Sequence, residues 1–520
     1  MSITGRVSFD AFGKAAIACL LAIGAACCPA RAADRPQWGD GWGRNFVSDE
    51  TNLPDGFDPA TGRNVKWSAP AGQNTNGSPV VAGGRVLIGT DRPHPSDDRG
   101  RADCGALHCY AENDGRLLWQ LLVPKLKDDL FADWHNVGIM SPPSVEAGRA
   151  YLVTNRGEVV CLDMHGLANG NDGPFTDEGP HMAPKGKPPV SVRATDADII
   201  WLYDMRNTLG VRQHNGANGS VLIDGPYLYV STSNGVNSTH RSLDTPEKPS
   251  LIVLDKRTGR LVGADDARIG SQIFHGTWSS PSMGVVGGRK RIFFGAGDGV
   301  CYGFDALAAA AAAQGDKEAP EAAPRKLAPV WRFDTDPDNR TDNPHQFHNN
   351  RTEGPSTIIG MPVFVGGRVY LTAGGDPWHG KTKAWLLCLD ANGAGDTTAR
   401  KPIWSCPLNL HSLATPSVAD GLVYVTDWGR HVHCADAATG KLVWSHKARG
   451  TIWGSTLVAD GKVYFGTQRG DFWVLAAGRE LKVLSTCQIA GGMGSTPTAA
   501  NGVLYVAGNK KLYAVARKAR

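Results

Sequence analysis

An all-β architecture, a single closed ring of eight four-stranded antiparallel sheets, follows from three features of this 520-residue sequence. The first is composition. The chain holds 64 Gly and 32 Pro, well above the ~12% these two residues average together. Many turns and short strands are implied, and a coiled coil or helical bundle is excluded. The second is a repeat. A small residue, often followed by Pro, precedes an apolar pair, a Gly and an alternating apolar strand. The copies begin at Gly77-Ser78-Pro79, Ser141-Pro142, Gly219-Ser220 and Ser280-Pro281. They continue at Gly354-Pro355, Thr415-Pro416, Gly454-Ser455 and Ser495-Thr496. The third is how the count closes. The eighth unit reaches Arg520 after three strands, while Asn64-Val65-Lys66-Trp67 reads as a fourth strand with nothing before it. An open sheet edge invites aggregation, so this early strand is expected to complete the last sheet. The result is an eight-bladed β-propeller, although length alone would suggest three or four domains.

Within a unit, the second half reads as a strand, a turn opened by Asp, and a strand ending in Trp. Asp436-Ala437-Ala438-Thr439-Gly440-Lys441-Leu442-Val443-Trp444 is the fullest copy, and Leu254 to Arg260 is another. Asp caps the turn and Gly takes its positive φ. Charge adds little. With 54 Lys+Arg against 50 Asp+Glu the net charge is +4, so no broad nucleic-acid footprint is expected.

The N-terminus reads as an address. Arg6 and Lys14 precede an apolar run from Ala15 to Cys28, and Pro29-Ala30-Arg31-Ala32 offers small residues for cleavage after Ala32. Residues 1–32 are therefore expected to be a secretory signal peptide, 33–75 an arm with the closing strand, and 76–520 the propeller. No later run is long enough to span a membrane, and a periplasmic location is expected. Of the eight cysteines beyond the leader, Cys109, Cys161, Cys388 and Cys434 share one repeat position and read as small buried hydrophobes. Cys104 with Cys109, and more weakly Cys388 with Cys406, are candidate disulfides.

In such a ring, the loop leading into each inner strand and the loop between second and third strands lie on one face. Long loops build up that face over units one to five. Among them are Leu121–Met140, Arg206–Gly219 and Asp334–Glu353, with Asn234–Pro249 and Asp376–Lys383. His135, His214, His275, His348 and His411 each lie four to six residues before the inner strand of units two to six. Five imidazoles should therefore meet at one axial funnel. They would suit Cu or Zn, or serve as acid/base groups for a small molecule in the funnel, or satisfy crowded loop backbones. Asn136, Asn215, Asn349 and Asn350 follow three of these histidines, with Arg212 and Arg351 close by. Arg212, Asn215, Asn349, Arg351 and Trp453 are candidate ligand contacts, and Asp133 and Glu353 candidate acid/base groups by position. Trp134, Trp278, Trp378 and Trp453 either wall the funnel or, as a group more commonly, pack blades.

The signature from Asp436 to Trp444 resembles that of the pyrroloquinoline-quinone (PQQ)-type propellers. That superfamily holds periplasmic quinoprotein alcohol dehydrogenases and the outer-membrane assembly lipoprotein BamB. Pro36-Gln37-Trp38-Gly39 with Arg44-Asn45 resembles a subgroup of secreted PQQ-like repeat proteins. The resemblance implies the fold throughout and makes PQQ a candidate cofactor. Two of its marks differ here: the only adjacent cysteines, Cys27-Cys28, lie in the leader, and no Cys-x-x-Cys-His haem site exists. A redox-type enzyme or metal-binding protein acting on a small molecule is the expectation. The alternative is a non-catalytic scaffold that takes a protein partner on its loop face, or a ligand-binding protein that shares the funnel but not the chemistry.

Overall fold

The computed structural model describes residues 1–2, 33–99, 103–308 and 323–517. The predicted leader beyond residue 2, with Cys27-Cys28, lies outside the described residues. Strands dominate these residues, and they form eight four-stranded antiparallel blades. The fifth and sixth show the plan. One is Val363–Val365, Arg368–Gly374, Ala384–Asp390 and Trp404–Leu408; the next is Ser417–Ala419, Leu422–Thr426, His431–Asp436 and Leu442–Lys447. The eighth blade takes Thr498–Ala500, Val503–Ala507 and Lys511–Val515 from the end of the chain. Its fourth strand is Val65–Pro70, antiparallel to Lys511–Val515. The ring is thus closed by non-covalent pairing of the two ends, and no blade is left with three strands. Two short additions lie on outer edges: Arg325–Leu327 beside blade three and Gly395–Asp396 beside blade four, both parallel.

Blades are pinned to one another by the repeated Trp. The indole N–H of Trp67, Trp119, Trp201, Trp404 and Trp444 donates to the carbonyls of Glu112, Met164, Lys256, Ala437 and Gly478 in the next blade, at 2.9–3.1 Å. Each ring lies against the turn of that next blade. The turn is built as the sequence implies: Asp436 accepts from the backbone N–H groups of Ala438 and Thr439, and Gly440 has φ +71°. A Cβ on Gly440 would lie 2.5–2.8 Å from the Trp404 ring, whereas one on Gly421, with φ +73°, would meet nothing within 4 Å. Gly440→Ala is therefore expected to cost about 2–4 kcal/mol, from left-handed strain plus overpacking, and Gly421→Ala only about 1 kcal/mol. Denaturant midpoints of the two variants check this; equal losses would remove the role assigned to the Trp contact.

Cys109, Cys161, Cys388 and Cys434 are buried, facing Trp119, Trp201, Trp404 and Trp444 across the outer strand pair. Neither candidate disulfide is formed in the structure. Cys104 and Cys109 share the strand Cys104–Ala111, and residues five apart on a strand face opposite sides.

The arm does more than deliver the closing strand. Residues 35–48 cross the base of the ring and bond to the inner-strand region of all eight blades. Arg35 exchanges both backbone hydrogen bonds with Val81, and Pro36 O accepts from Val145 N–H. Arg44 donates to Val221 O. Trp42 O and Gly43 O accept from Met283 and Phe364. The Asn45 amide pairs both ways with Val418. Val47–Ser48 runs parallel to Val458 and Ala459, and Ser48 Oγ reaches Ala499 O. Pro36-Gln37-Trp38-Gly39 and Arg44-Asn45 are thus parts of a plug, which leaves the axial funnel closed at its base by Trp38.

Candidate functional site

Above the plug lies an axial cavity of ≈ 680 Å³, walled by the loops that lead into the inner strands. Three of those loops carry His followed by Asn, and the structure gives the reason for the pair. Asn136, Asn215 and Asn349 have φ of 53°, 57° and 66°, the left-handed region that Asn tolerates better than most residues. Their backbone N–H groups then bond to Asp103 Oδ2, Phe131 O and His379 O. The Asn turns the chain and fixes where the preceding imidazole points.

The five predicted histidines do not all meet. His214 and His275 do, with Nε2 atoms 3.0 Å apart. His348 lies close by, its ring stacked on His379 at 4.5 Å between centroids. His135 does not join them; its side chain is 69% exposed and lies 3.7 Å from Asp103. His411 is buried behind the group, where its Nδ1–H donates to Gly375 O and so holds the start of the loop carrying Asp376 and His379. The vacated places are taken by His240 and His379, from the two second-to-third loops already expected on this face. His214, His240 and His275 each offer a ring nitrogen within 4.8 Å of the others. His379 packs on both His240 and His275, at 5.0 and 4.9 Å.

Each inner imidazole is oriented from behind. His214 Nδ1–H donates to Val236 O at 2.6 Å. His275 Nδ1 faces Asp376 Oδ2 at 3.0 Å, and His379 Nδ1 faces Asn349 Oδ1 at 3.1 Å. Burial raises the Asp376 carboxyl's pKa, but the charge of and hydrogen bond from His275, with the His379 backbone N–H, outweigh it and leave that pKa lowered. An ionised Asp376 makes His275 Nδ1 the protonated nitrogen, and Val236 O does the same for His214. The two Nε2 atoms then face one another across 3.0 Å, an arrangement that needs a cation or a shared proton between them. A proton is disfavoured on His214, whose pKa burial and neighbouring His275 push down to about 2. His379 is lowered to about 4, by burial first and then by His275. His240 and His348 are lowered too, chiefly by burial. His214, His240, His348 and His379 are thereby disposed to present neutral nitrogens.

The remaining candidates fall into two sets. Asn215 and Trp453 line the cavity, and Asn349 orients His379. The others are committed elsewhere. Asp133 is buried and holds its own loop, bound to Lys125, the Leu126 N–H and Asn155. Arg212 bridges Val236 O and Asp129. Arg351 reaches Pro377 O from the surface, and Glu353 is exposed. The tryptophans depart from the expectation that as a group they pack blades: Trp134, Trp278, Trp378 and Trp453 all line the cavity. Trp278, Trp378, Trp428 and Trp453 form a continuous arc of ring contacts at 5.4–5.8 Å along its wall.

Comparison with known proteins agrees with this architecture. Residues 390–519 match a PQQ-type family model described as outer membrane protein assembly factor BamB. No curated protein sequence matches. Among solved structures, a europium-containing methanol dehydrogenase is 11% identical, covering 91% of this chain and 89% of its own with a TM-score of 0.58. BamB from Moraxella catarrhalis is 13% identical, covering 87% and 97%, with a TM-score of 0.49. The first of these shows a shared fold. The quinone itself does not fit this cavity. PQQ carries three carboxylates, yet among the described residues no Arg, Lys or Cys lines the cavity, and no Asp or Glu is there to hold a hard cation beside it.

Proposed function

We propose that this PQQ-like β-propeller is a periplasmic metalloenzyme of the redox type, acting on a small molecule in its axial cavity. A transition metal, copper or zinc, would be held by His214, His240 and His275. One observation carries this reading: two Nε2 atoms 3.0 Å apart, each ring held by a hydrogen bond at its opposite nitrogen. Nitrogens so spaced can share one ion at the usual 2.0–2.1 Å, subtending about 94°. Carboxylate or carbonyl support behind a ligating His is how such ligands are commonly oriented. A set of imidazoles without carboxylates favours Cu or Zn over Mg or Ca. His214 is fully buried while His240, His275 and His379 line the cavity, so the open side of the site faces the space a substrate would fill. A bound metal would supply Lewis acidity there and, as copper, one-electron chemistry.

The test is elemental analysis of protein purified from its native periplasm without chelators. About one equivalent of Cu or Zn per chain is expected, falling at least tenfold in His214→Ala and His240→Ala while the unfolding transition persists. Metal-free wild type, or variants with undiminished metal, would sink the proposal and leave a scaffold of the assembly-factor kind.

A further inference from the structure

We infer that the axial cavity binds an uncharged, polyhydroxylated ring, a sugar residue, stacked on the indole arc with its hydroxyls toward the amide-bearing residues of the lining. This deepens the preceding reading by naming its substrate class, and it rests on that reading only for which cavity is the site.

Charge comes first. Among the described residues the lining carries no Asp, Glu, Lys or Arg. A charged ligand would lose its hydration without gaining a partner, at a cost of several kcal/mol. Polarity comes second. Asn215, Asn218, Asn509, Gln468 and Trp38 line the cavity, and each carries a buried polar atom (the three Asn Oδ1, Gln468 Nε2, Trp38 Nε1) that makes no hydrogen bond within the protein. Such groups ordinarily have partners. Here both acceptors and donors are left over, and they come from blades three, seven and eight and from the plug. A hydroxyl donates and accepts, so a ring with hydroxyls around its edge satisfies both kinds from several directions. A purely apolar or aromatic guest would leave them unpaired, the discrimination that hydrogen-bonding sites make most strongly. Shape comes third. Trp378 and Trp453 give flat apolar faces that match the C–H face of a pyranose, and ≈ 680 Å³ is the size of a cavity that encloses a drug-sized ligand. The plug closes one end, so the ligand enters from the loop face.

The experiment is calorimetry together with Trp fluorescence on the full chain. The probes are methyl β-glucopyranoside, cellobiose and maltose, their charged congeners glucuronate and glucosamine, and phenol and adenosine. At least one neutral saccharide is expected to saturate at millimolar concentration or below, with the charged congeners at least tenfold weaker. Asn509→Ala and Trp378→Ala should each weaken it about tenfold. Trp378 is at the mouth, 40% exposed, so its loss should leave the unfolding transition in place, and Asn509→Ala repeats the test at another wall. Saccharides inert throughout the millimolar range, or phenol or adenosine binding tenfold tighter than any saccharide, would overturn the inference. Metal-stripped protein and His275→Ala are titrated in parallel. Sugar binding that survives there upholds the inference whether or not the metal assignment stands.

Discussion

Arg44→Ala is expected to lower the stability of the propeller by about 3 kcal/mol and to release the plug from the base of the ring. Arg44 is wholly buried. Its guanidinium donates to Trp38 O at 2.9 Å and to Val221 O at 2.6 Å. Burial pushes its pKa down to about 9, so the charge itself is a cost, and the value of the side chain lies in the carbonyls it satisfies and the space it fills. Truncation removes the donor to Trp38 O and leaves Val221 O to Ser144 Oγ alone, a loss of roughly 1–3 kcal/mol, over a void in the centre of the ring. Against this stands relief of the buried charge. Arg44→Met separates the parts, because it restores bulk without donors and should recover less than half of the loss. The readouts are the guanidinium midpoint and amide exchange over residues 35–48. Exchange there should rise in Arg44→Ala more than in the outer strands. Unchanged protection of the arm would show that its backbone bonds hold it without Arg44.

How much of this was legible in the sequence depends on what kind of signal each part left. The blades were legible because strand, turn and Trp recur with one physical job each, and the closing strand because a whole number of sheets required it. The plug was not. Residues 35–48 form only a two-residue strand and otherwise bond irregularly to eight different blades, so no periodicity marks them. At the site, His214, His275 and His348 could be found because they sit at one phase of the repeat. His240 and His379 could not, since they come from loops of unequal length that share a face but no register. Their own loops had been placed on the correct face, so asking which His residues that whole face carries would have found them. His135 shows the converse. It keeps the sequence phase, yet Asn136 turns toward Asp103 in a long loop and carries its neighbour outward. Phase in the repeat specifies a backbone position, and loop geometry decides the direction of the ring.

The second large effect is expected at Asp376, which supports the proposed ligand His275 from behind. Asp376→Asn should weaken Cu(II) or Zn(II) binding by about 10–100-fold while leaving all of the imidazoles in place. The carboxylate has two tasks. Oδ2 accepts from His275 Nδ1–H, and Oδ1 accepts from the backbone N–H groups of Trp378 and His379. An amide can keep one of these acceptances with its oxygen, but its NH2 then meets the other donor. Retaining the loop contacts turns the NH2 toward His275, favouring the tautomer with the proton on Nε2, where it blocks the metal. Retaining the contact with His275 instead loosens the loop that carries His379 and Trp378. Either way one ligand direction is lost, and Asp376→Ala, which drops both, should do worse. Competition against a chelator measures the affinity. Nitrogen-15 NMR of the His275 ring reads the tautomer in metal-free protein, where wild type should carry its proton on Nδ1. A protonated Nε2 in wild type would remove the argument at its base, since the two facing nitrogens would already share a hydrogen bond and have no lone pairs to bring together on an ion.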